Sequence, residues 1–197
     1  VNLSLTSLLP YSTIYELTHP TEYPWAMFHH DLTHTGYSDS PTSRTNDKLW
    51  NYTTGSNVYS SPAVADGKVY VGSSDGKVYC LNALNGTCVW SYPTGDQIES
   101  SPAVSDLKVY VGSYDNKLYC LDALTGAHIW NYTTNNDVRS SPAVFDGKVY
   151  VGSLDGKVYC LDASTGAHVW NYTTGGSIFS SPAVDNGKVY IGSNDTK

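Results

Sequence analysis

The first residues of this sequence that suggest chemistry are the imidazoles and carboxylate of HHDLTH, residues 29–34. Such groups bind zinc and copper, and His30 and His34 would share one face of a helix. His128 and His168 recur at one place in a repeated phrase, which favours a structural role. The sequence contains neither a Gly-x-Ser-x-Gly nucleophile elbow nor a phosphate-binding loop. We therefore predict no catalytic residue and expect no enzymatic activity.

A second kind of chemistry, N-glycosylation, is indicated by the acceptor pattern Asn-x-Ser/Thr. The pattern occurs at Asn2, Asn51, Asn85, Asn131, Asn171 and Asn194. Asn51, Asn131 and Asn171 each follow a repeated Trp, so duplication of one accidental copy would also produce these three. The others arose outside that repeat position. We therefore expect a protein of the cell surface or extracellular space that carries N-linked glycans.

Composition limits the class of protein. The chain has 197 residues, 17 of them Tyr, with a net charge of −7 and only 15% charged residues. Abundant Tyr, Val, Ser, Thr and Gly favour strands joined by tight turns, and so an all-β fold. The acidic balance, with Arg44 and Arg139 as the only arginines, argues against binding to nucleic acid. No segment approaches the roughly 20 apolar residues that span a bilayer, so we expect no transmembrane segment.

The candidate residues are embedded in a repeat. Trp50, Trp90, Trp130 and Trp170 are each 40 residues apart, and SSPAV, KVYVGS and KVYCL return with the same period. A period near 40 in which every segment resembles a strand is typical of β-propeller blades. In the third unit we predict four strands, DVRSSPAVFD, KVYVGS, KVYCLDA and AHVWNYTT. Asp-Gly between the first two favours a hairpin turn.

The repeats define the predicted organisation of the chain. Residues 1–47 form an N-terminal extension and lead-in segment, and residues 48–197 carry the propeller repeats. We place blades at about 57–94, 97–134 and 137–174, with a partial blade at 177–197.

The phrase YVGSLDGKVYCLDASTGAHVW resembles the pyrroloquinoline-quinone-type β-propeller repeat, whose blades carry an Ala-x-Asp-x-x-Thr-Gly-x-x-x-Trp docking motif. On this resemblance the docking residues are Trp50, Trp90, Trp130 and Trp170 with Gly86, Gly126 and Gly166. The first copy departs from the motif, with Asn82 and Asn85 in place of Asp and Thr.

The segment WAMFHHDLTHTGYSDSP, from Trp25, resembles the lead-in of secreted family members. This resemblance implies that residues 29–34 pin a loop to the propeller, so we predict no metal and no cofactor. Such repeats are frequent on archaeal cell surfaces, which implies an archaeal source. Quinoprotein dehydrogenases of the family use a complete eight-bladed ring, calcium and a disulfide between adjacent cysteines. No two cysteines are adjacent here.

The last copy of the repeat supplies two strands, and an open edge invites pairing with another chain. We consider three completions. KLWNYTT, from Lys48, can close the last blade of its own chain, with VNLSLTSL at the N-terminus as a further strand. The N-terminal strand can instead be donated to a neighbouring copy, which would build filaments. The chain can also be a piece of a longer propeller.

The cysteines do not form an evident metal site, since their spacing differs from zinc-binding pairs. Cys80, Cys120 and Cys160 are repeat equivalents that replace the motif's Ala, and we expect small buried residues too far apart to bridge. Cys80 and Cys88 flank the turn ALNG. For this pair we leave open one disulfide or two free thiols.

Repeat positions that the fold does not dictate are free to differ between units. The residues before SSPAV are Tyr59, Glu99, Arg139 and Phe179. We expect this set to line the axis or one mouth of the propeller and to bind partners, against the alternative of an unconstrained surface. Our leading hypothesis is a non-enzymatic cell-surface protein that assembles with copies of itself. The alternatives are a binding scaffold similar to outer-membrane assembly scaffolds and a fragment of a quinoprotein dehydrogenase.

Overall fold

The computed structural model of the protein describes residue 27 and residues 47–196. The described residues form fourteen strands arranged in four antiparallel sheets. The prediction of an all-β, propeller-type repeat is therefore confirmed. The described part of the chain contains no helix of the length and apolarity needed to cross a membrane.

Three sheets have four strands in sequence order. The first contains β1 (Ala63–Ala65), β2 (Lys68–Ser73), β3 (Lys77–Asn82) and β4 (Cys88–Pro93). The second contains β5 (Ala103–Ser105), β6 (Lys108–Gly112), β7 (Lys117–Asp122) and β8 (His128–Thr133). The third contains β9 (Ala143–Phe145), β10 (Lys148–Gly152), β11 (Lys157–Asp162) and β12 (His168–Thr173). The fourth sheet has β13 (Ala183–Asp185) and β14 (Lys188–Tyr190).

The turn between the first two strands of each sheet has the conformation that the sequence predicts. Asp146 and Gly147 both have positive φ, 49° and 67°, as a tight hairpin turn requires. The second repeat keeps this geometry without Gly, and Leu107 adopts a φ of 57°. The repeat therefore imposes the turn even on a branched side chain that disfavours it.

The first strand of each repeat is shorter than we predict from the sequence. In the third repeat only Ala143–Phe145 is a strand, although we expect one throughout DVRSSPAVFD. The preceding Ser140 and Ser141 serve other contacts. The Gly152 N–H donates to the Ser140 hydroxyl at 3.1 Å, and the Ser141 N–H donates to Ser181 of the next repeat at 3.0 Å. Pro142 has no N–H to donate, so the ladder begins after it.

Successive sheets pack face to face around a common inner edge, where the first strands β1, β5, β9 and β13 contact one another in turn. Glycine permits the close approach of neighbouring sheets. A Cβ on Gly72 would lie 2.2 Å from Ile98 of the next repeat, and Gly152 stands in the same relation to Ile178. The Gly of KVYVGS therefore recurs because a residue without a Cβ lets the following repeat pack this closely.

The fourth sheet remains two-stranded in the described residues, where β14 pairs with β13. Residues 48–54 form no strand beside β14 in the described part of the chain, so closure by KLWNYTT is not seen there. Trp50 contacts the first sheet, where its indole N–H donates to the Ala83 carbonyl at 2.9 Å, just as Trp90 and Trp130 contact the sheets that follow them. The N-terminal strand VNLSLTSL, the lead-in segment and the histidines of residues 29–34 lie outside the described residues.

Candidate functional site

The candidate site is the set Tyr59, Glu99, Arg139 and Phe179, which we call the variable row. Each member stands directly before the same Ser-Ser-Pro-Ala-Val phrase, so the repeat places four different side chains at one structural position. Serine contacts fix this position between repeats. The Ser61 N–H donates to the Ser101 hydroxyl at 2.8 Å, and the Ser101 N–H donates to Ser141 at 2.9 Å. The invariant Ser-Ser-Pro-Ala-Val phrase therefore fixes the backbone, and the side chains of the variable row differ on this common support.

Arg139 is the centre of the row. Its guanidinium carbon lies 4.1 Å from the ring centroid of Tyr114 and 5.7 Å from that of Phe179. Its Nε and Nη2 donate to Asp137 Oδ2 at 3.3 and 3.1 Å. These contacts hold a cation between two aromatic rings from neighbouring repeats, a favourable arrangement for a guanidinium.

Tyr114 and Glu99 extend the site toward the second repeat. Burial, and then the Glu99 carboxylate, raise the pKa of Tyr114 well above its ordinary value. The Tyr114 hydroxyl is buried and makes no hydrogen bond of normal geometry with the described residues, although the Glu99 charge acts on it. The site therefore contains a neutral phenol next to a carboxylate and a guanidinium.

The two ends of the row are the most exposed members. Tyr59 is 64% exposed and Phe179 is 48% exposed. The Tyr59 hydroxyl accepts a hydrogen bond from Asn57 Nδ2 at 3.2 Å. The structure brings Arg139 and Phe179 together, whereas no contact joins Tyr59 to Arg139 in the described residues.

Asp137 is a site residue that the sequence pattern before SSPAV does not single out. It stands at a second variable position, which Asn57, Gln97 and Ser177 occupy in the other repeats. The residue two positions before each member of the variable row also varies between repeats, and this variation is the sequence signal for Asp137. Tyr114 is likewise one of a variable set in the second hairpin, but its partnership with Arg139 is not visible in the sequence.

The tryptophans dock between repeats. The ring of Trp130 lies on Gly166 of the next repeat, where an added Cβ would be 2.6 Å from Cδ2, and the indole N–H donates to the Ala163 carbonyl at 3.2 Å. Gly86 and Gly126 receive Trp50 and Trp90 in the same way. Each Trp therefore closes a joint with the repeat that follows it.

Trp170 occupies the corresponding position at the last described joint. It is 38% exposed, against 7% for Trp130. It lines a cleft of about 800 Å³ together with Val158, Tyr172, Val189 and other residues of the third and fourth repeats. Gly187 lines the same cleft, but no glycine of residues 47–196 has the Trp170 ring among its nearest contacts. This cleft is the second candidate interaction surface.

The acceptor asparagines of the described residues are exposed, namely Asn51, Asn85, Asn131, Asn171 and Asn194. Their surroundings differ. The Nδ2 atoms of Asn131 and Asn171 lie 2.9 and 2.8 Å from Nε2 of His128 and His168. Each histidine ring also stacks on a tyrosine of the preceding repeat, as His128 does on Tyr92 with centroids 6.2 Å apart. Asn2 lies outside the described residues.

The cysteines are free thiols in this structure. Cys80 and Cys88 form no disulfide, because the register sets Cys80 opposite Trp90 and Cys88 opposite Leu81. Cys88 is exposed, and its thiol donates to the Trp90 carbonyl at 3.4 Å. Cys80, Cys120 and Cys160 are buried, and burial raises the pKa of Cys80 and Cys120 to about 12.

Four-stranded antiparallel sheets joined through Trp–Gly contacts define a propeller-repeat protein, and the comparison of sequences specifies which kind. Residues 41–141 and 134–197 match the family described as outer membrane protein assembly factor BamB. The chain belongs to this family of pyrroloquinoline-quinone-like propeller repeats. No curated protein matches the sequence significantly.

Solved structures agree with this assignment. BamB from Moraxella catarrhalis is 27% identical with a TM-score of 0.67, over 74% of this chain and 46% of that protein. A quinohemoprotein alcohol dehydrogenase from Comamonas testosteroni is 26% identical with a TM-score of 0.66, over 77% of this chain and 27% of the enzyme. The computationally designed Ika4 protein, 17% identical with a TM-score of 0.69 over 77% of this chain and 94% of its own, shares the fold. The chain thus spans less than half the length of the natural proteins.

Proposed function

We propose that this chain is a non-enzymatic interaction scaffold of the cell surface or extracellular space, which binds a protein partner through the variable row. One observation carries the proposal. At a single repeat position the chain presents a phenol, a carboxylate, a guanidinium and a phenyl ring, while the next five residues are the same in every repeat. A surface that is specific for one partner requires different side chains at fixed positions, and the repeated Ser-Ser-Pro-Ala-Val segments provide these positions.

The geometry of Arg139 supports binding at this row. Arg and aromatic side chains contribute most of the energy at protein interfaces. Asp137 and the rings of Tyr114 and Phe179 already restrict the guanidinium, so less side-chain entropy is lost when a partner binds. The exposed edges of Tyr59 and Phe179 supply apolar area on either side.

The location outside the cytoplasm is supported by the family, which is described as an outer membrane protein assembly factor. The acidic net charge of −7 also suits a partner other than nucleic acid.

The proposal is tested by capture from the cells that make the protein. A tagged chain with Tyr59→Ala, Arg139→Ala and Phe179→Ala should lose a partner that the wild type retains. A matched triple variant, Leu84→Ala, Leu124→Ala and Phe145→Ala, removes exposed apolar side chains elsewhere and should retain it. Equal capture by both variants would contradict the proposal.

A second candidate function, self-assembly into a polymer, is favoured by the sequence WNYTTG. It occurs at residues 50–55 and again at residues 170–175. The first copy is seated on the first sheet, through Trp50 on Gly86 and through the Gly55 N–H, which donates to Asp75 at 2.7 Å. The second copy begins with the exposed Trp170. Its Gly175 N–H donates to Asp195 at 2.7 Å, as the Gly55 N–H does to Asp75. If the first sheet of a second chain takes the place of the two-stranded fourth sheet, it can seat this copy instead of its own residues 50–55 and so join chains head to tail.

Light scattering tests this exchange. Assembly should be lost with Trp170→Ala and kept with Val169→Ala, its exposed neighbour. A monomer at all concentrations, or particles that Trp170→Ala leaves unchanged, would refute it.

A further inference from the structure

We propose that, in the described part of the chain, Asn85 is the residue that carries an N-linked glycan. This inference rests on the location outside the cytoplasm that forms part of the proposed function. The acceptor pattern marks several asparagines alike, and the structure distinguishes between them.

Asn85 lies at the exposed tip of the hairpin between β3 and β4. Its amide oxygen accepts two hydrogen bonds from Thr87, the third residue of its own acceptor pattern. The Thr87 N–H lies at 3.0 Å and the Thr87 hydroxyl at 2.8 Å. Gly86 between them has a φ of +71°, which permits this tight turn.

These bonds leave Nδ2 as the side-chain polar atom of Asn85 that has no partner among the described residues. Donors on the amide oxygen polarise the amide and make its N–H more acidic. The reacting nitrogen is therefore accessible and activated by the same turn.

In Asn131 and Asn171 the Nδ2 atom, rather than the amide oxygen, is engaged in a hydrogen bond. Each Nδ2 is bound to a histidine Nε2, at 2.9 and 2.8 Å. Both residues also lie within strands, β8 and β12, whose backbones pair with the neighbouring strand. A transferase would have to break these bonds before reaching either nitrogen.

Asn51 and Asn194 are exposed as well, but in the described residues neither Thr53 nor Thr196 donates a hydrogen bond to its asparagine. Asn85 is thus distinguished among the acceptor asparagines of residues 47–196 by the threonine contact.

The other repeats explain why the first hairpin can hold this site. In the second repeat the Thr125 hydroxyl and N–H donate to Asp122 at 2.8 Å, which occupies the turn position. In the first repeat Asn82 accepts the backbone N–H groups of residues 84 and 85. Asp122 accepts the equivalent N–H groups of residues 124 and 125, so the repeats differ in the side chain that follows. Asn85 has no hydroxyl to donate to Asn82, and its amide oxygen accepts from Thr87 instead.

The glycan donor is a sugar linked to a lipid phosphate, and an oligosaccharyltransferase supplies the catalyst. The bond between the sugar C1 and the phosphate oxygen breaks, and the lipid phosphate leaves with its electron pair. Nδ2 of Asn85 forms the new bond to C1, and one Nδ2 proton passes to a base of the transferase.

Tryptic peptides test the inference on protein purified from the cells that make it. Cleavage after Lys and Arg places Asn85, Asn131 and Asn171 in separate peptides, 78–108, 118–139 and 158–188. Mass spectrometry should find a glycan on peptide 78–108 and unmodified peptides for the other two. An unmodified peptide 78–108, or equal modification of all three, would overturn the inference.

Cell fractionation separates the two possible failures. Protein found outside the cytoplasm with an unmodified Asn85 contradicts this inference alone. Protein found in the cytoplasm contradicts the proposed function as well.

A transplanted hairpin provides a test by gain of modification. Thr125→Asn with Ala127→Thr copies the first hairpin onto the second, and Asn131→Gln removes the neighbouring acceptor. Peptide 118–139 should then gain the glycan mass seen on peptide 78–108. A variant that folds, as circular dichroism would show, and stays unmodified would refute the role of the turn.

Discussion

The Trp–Gly contact between repeats allows a quantitative prediction, because another glycine of the chain, Gly147, serves as a control for it. Gly166→Ala would place a Cβ 2.6 Å from the ring of Trp130, at a φ of +72°. Gly147→Ala introduces the same methyl group at a φ of +67°, where nothing lies within 4 Å. The two substitutions share the backbone strain and differ in the contact with Trp.

Left-handed backbone strain costs an alanine about 1–2 kcal/mol, and this is the whole effect expected for Gly147→Ala. Overpacking adds about 1–3 kcal/mol, so we expect Gly166→Ala to lower the free energy of unfolding by about 2–5 kcal/mol. If the ring moves away instead, the buried bond from the Trp130 indole to the Ala163 carbonyl is lost, which has a similar cost.

Urea unfolding followed by circular dichroism and Trp fluorescence measures the difference as a shift of the midpoint. Gly126→Ala repeats the test at the preceding joint, where the added Cβ would lie 2.6 Å from Trp90. If Gly166→Ala destabilises no more than Gly147→Ala, the Trp–Gly contact does not hold the repeats together, and this reasoning is refuted.

Three further measurements follow from charge and burial. Lowering the pH below about 4 should destabilise the protein, because the hydroxyl and N–H of Thr165 hold the pKa of Asp162 below its ordinary value in the folded state. Asp162→Asn should make the free energy of unfolding depend less on pH in this range, and an unchanged dependence would contradict this role of Asp162. Raising the pH above about 10 should also destabilise the protein, because burial and the Asp75 carboxylate raise the pKa of Tyr79 to about 12. Absorbance titration should show fewer ionised tyrosines in folded than in urea-unfolded protein at pH 11, and equal numbers would contradict it. Ellman's reagent should label Cys88 fast in native protein and the three buried thiols slowly, whereas equal rates would show that the sheets open.

The sequence predicts most of the fold because repetition shows which residues the structure requires. The period of the tryptophans, the Asp-Gly turns and the strand pattern predict the three four-stranded sheets. The shortened first strand is not predictable from the strand pattern alone. It depends on where the N–H groups of Ser141 and Gly152 find acceptors, and these acceptors are serines at distances of 40 and 12 residues.

The candidate site is only partly visible in the sequence. Variation between repeats indicates Arg139 and Phe179, but the contact between Arg139 and Tyr114 joins different repeats and depends on how far each side chain reaches. The hydrogen bond between Asn85 and Thr87 likewise depends on a turn conformation that the acceptor pattern does not specify.

The most direct test of the proposed scaffold uses two exposed phenylalanines, Phe179 in the variable row and Phe145 at the end of β9. Each is replaced in turn by a photoreactive phenylalanine in the cells that make the protein. Our account predicts one discrete cross-linked partner from position 179, lost on Arg139→Ala, and no such product from position 145. Equal cross-linking from both positions, or none from position 179, would contradict binding through the variable row.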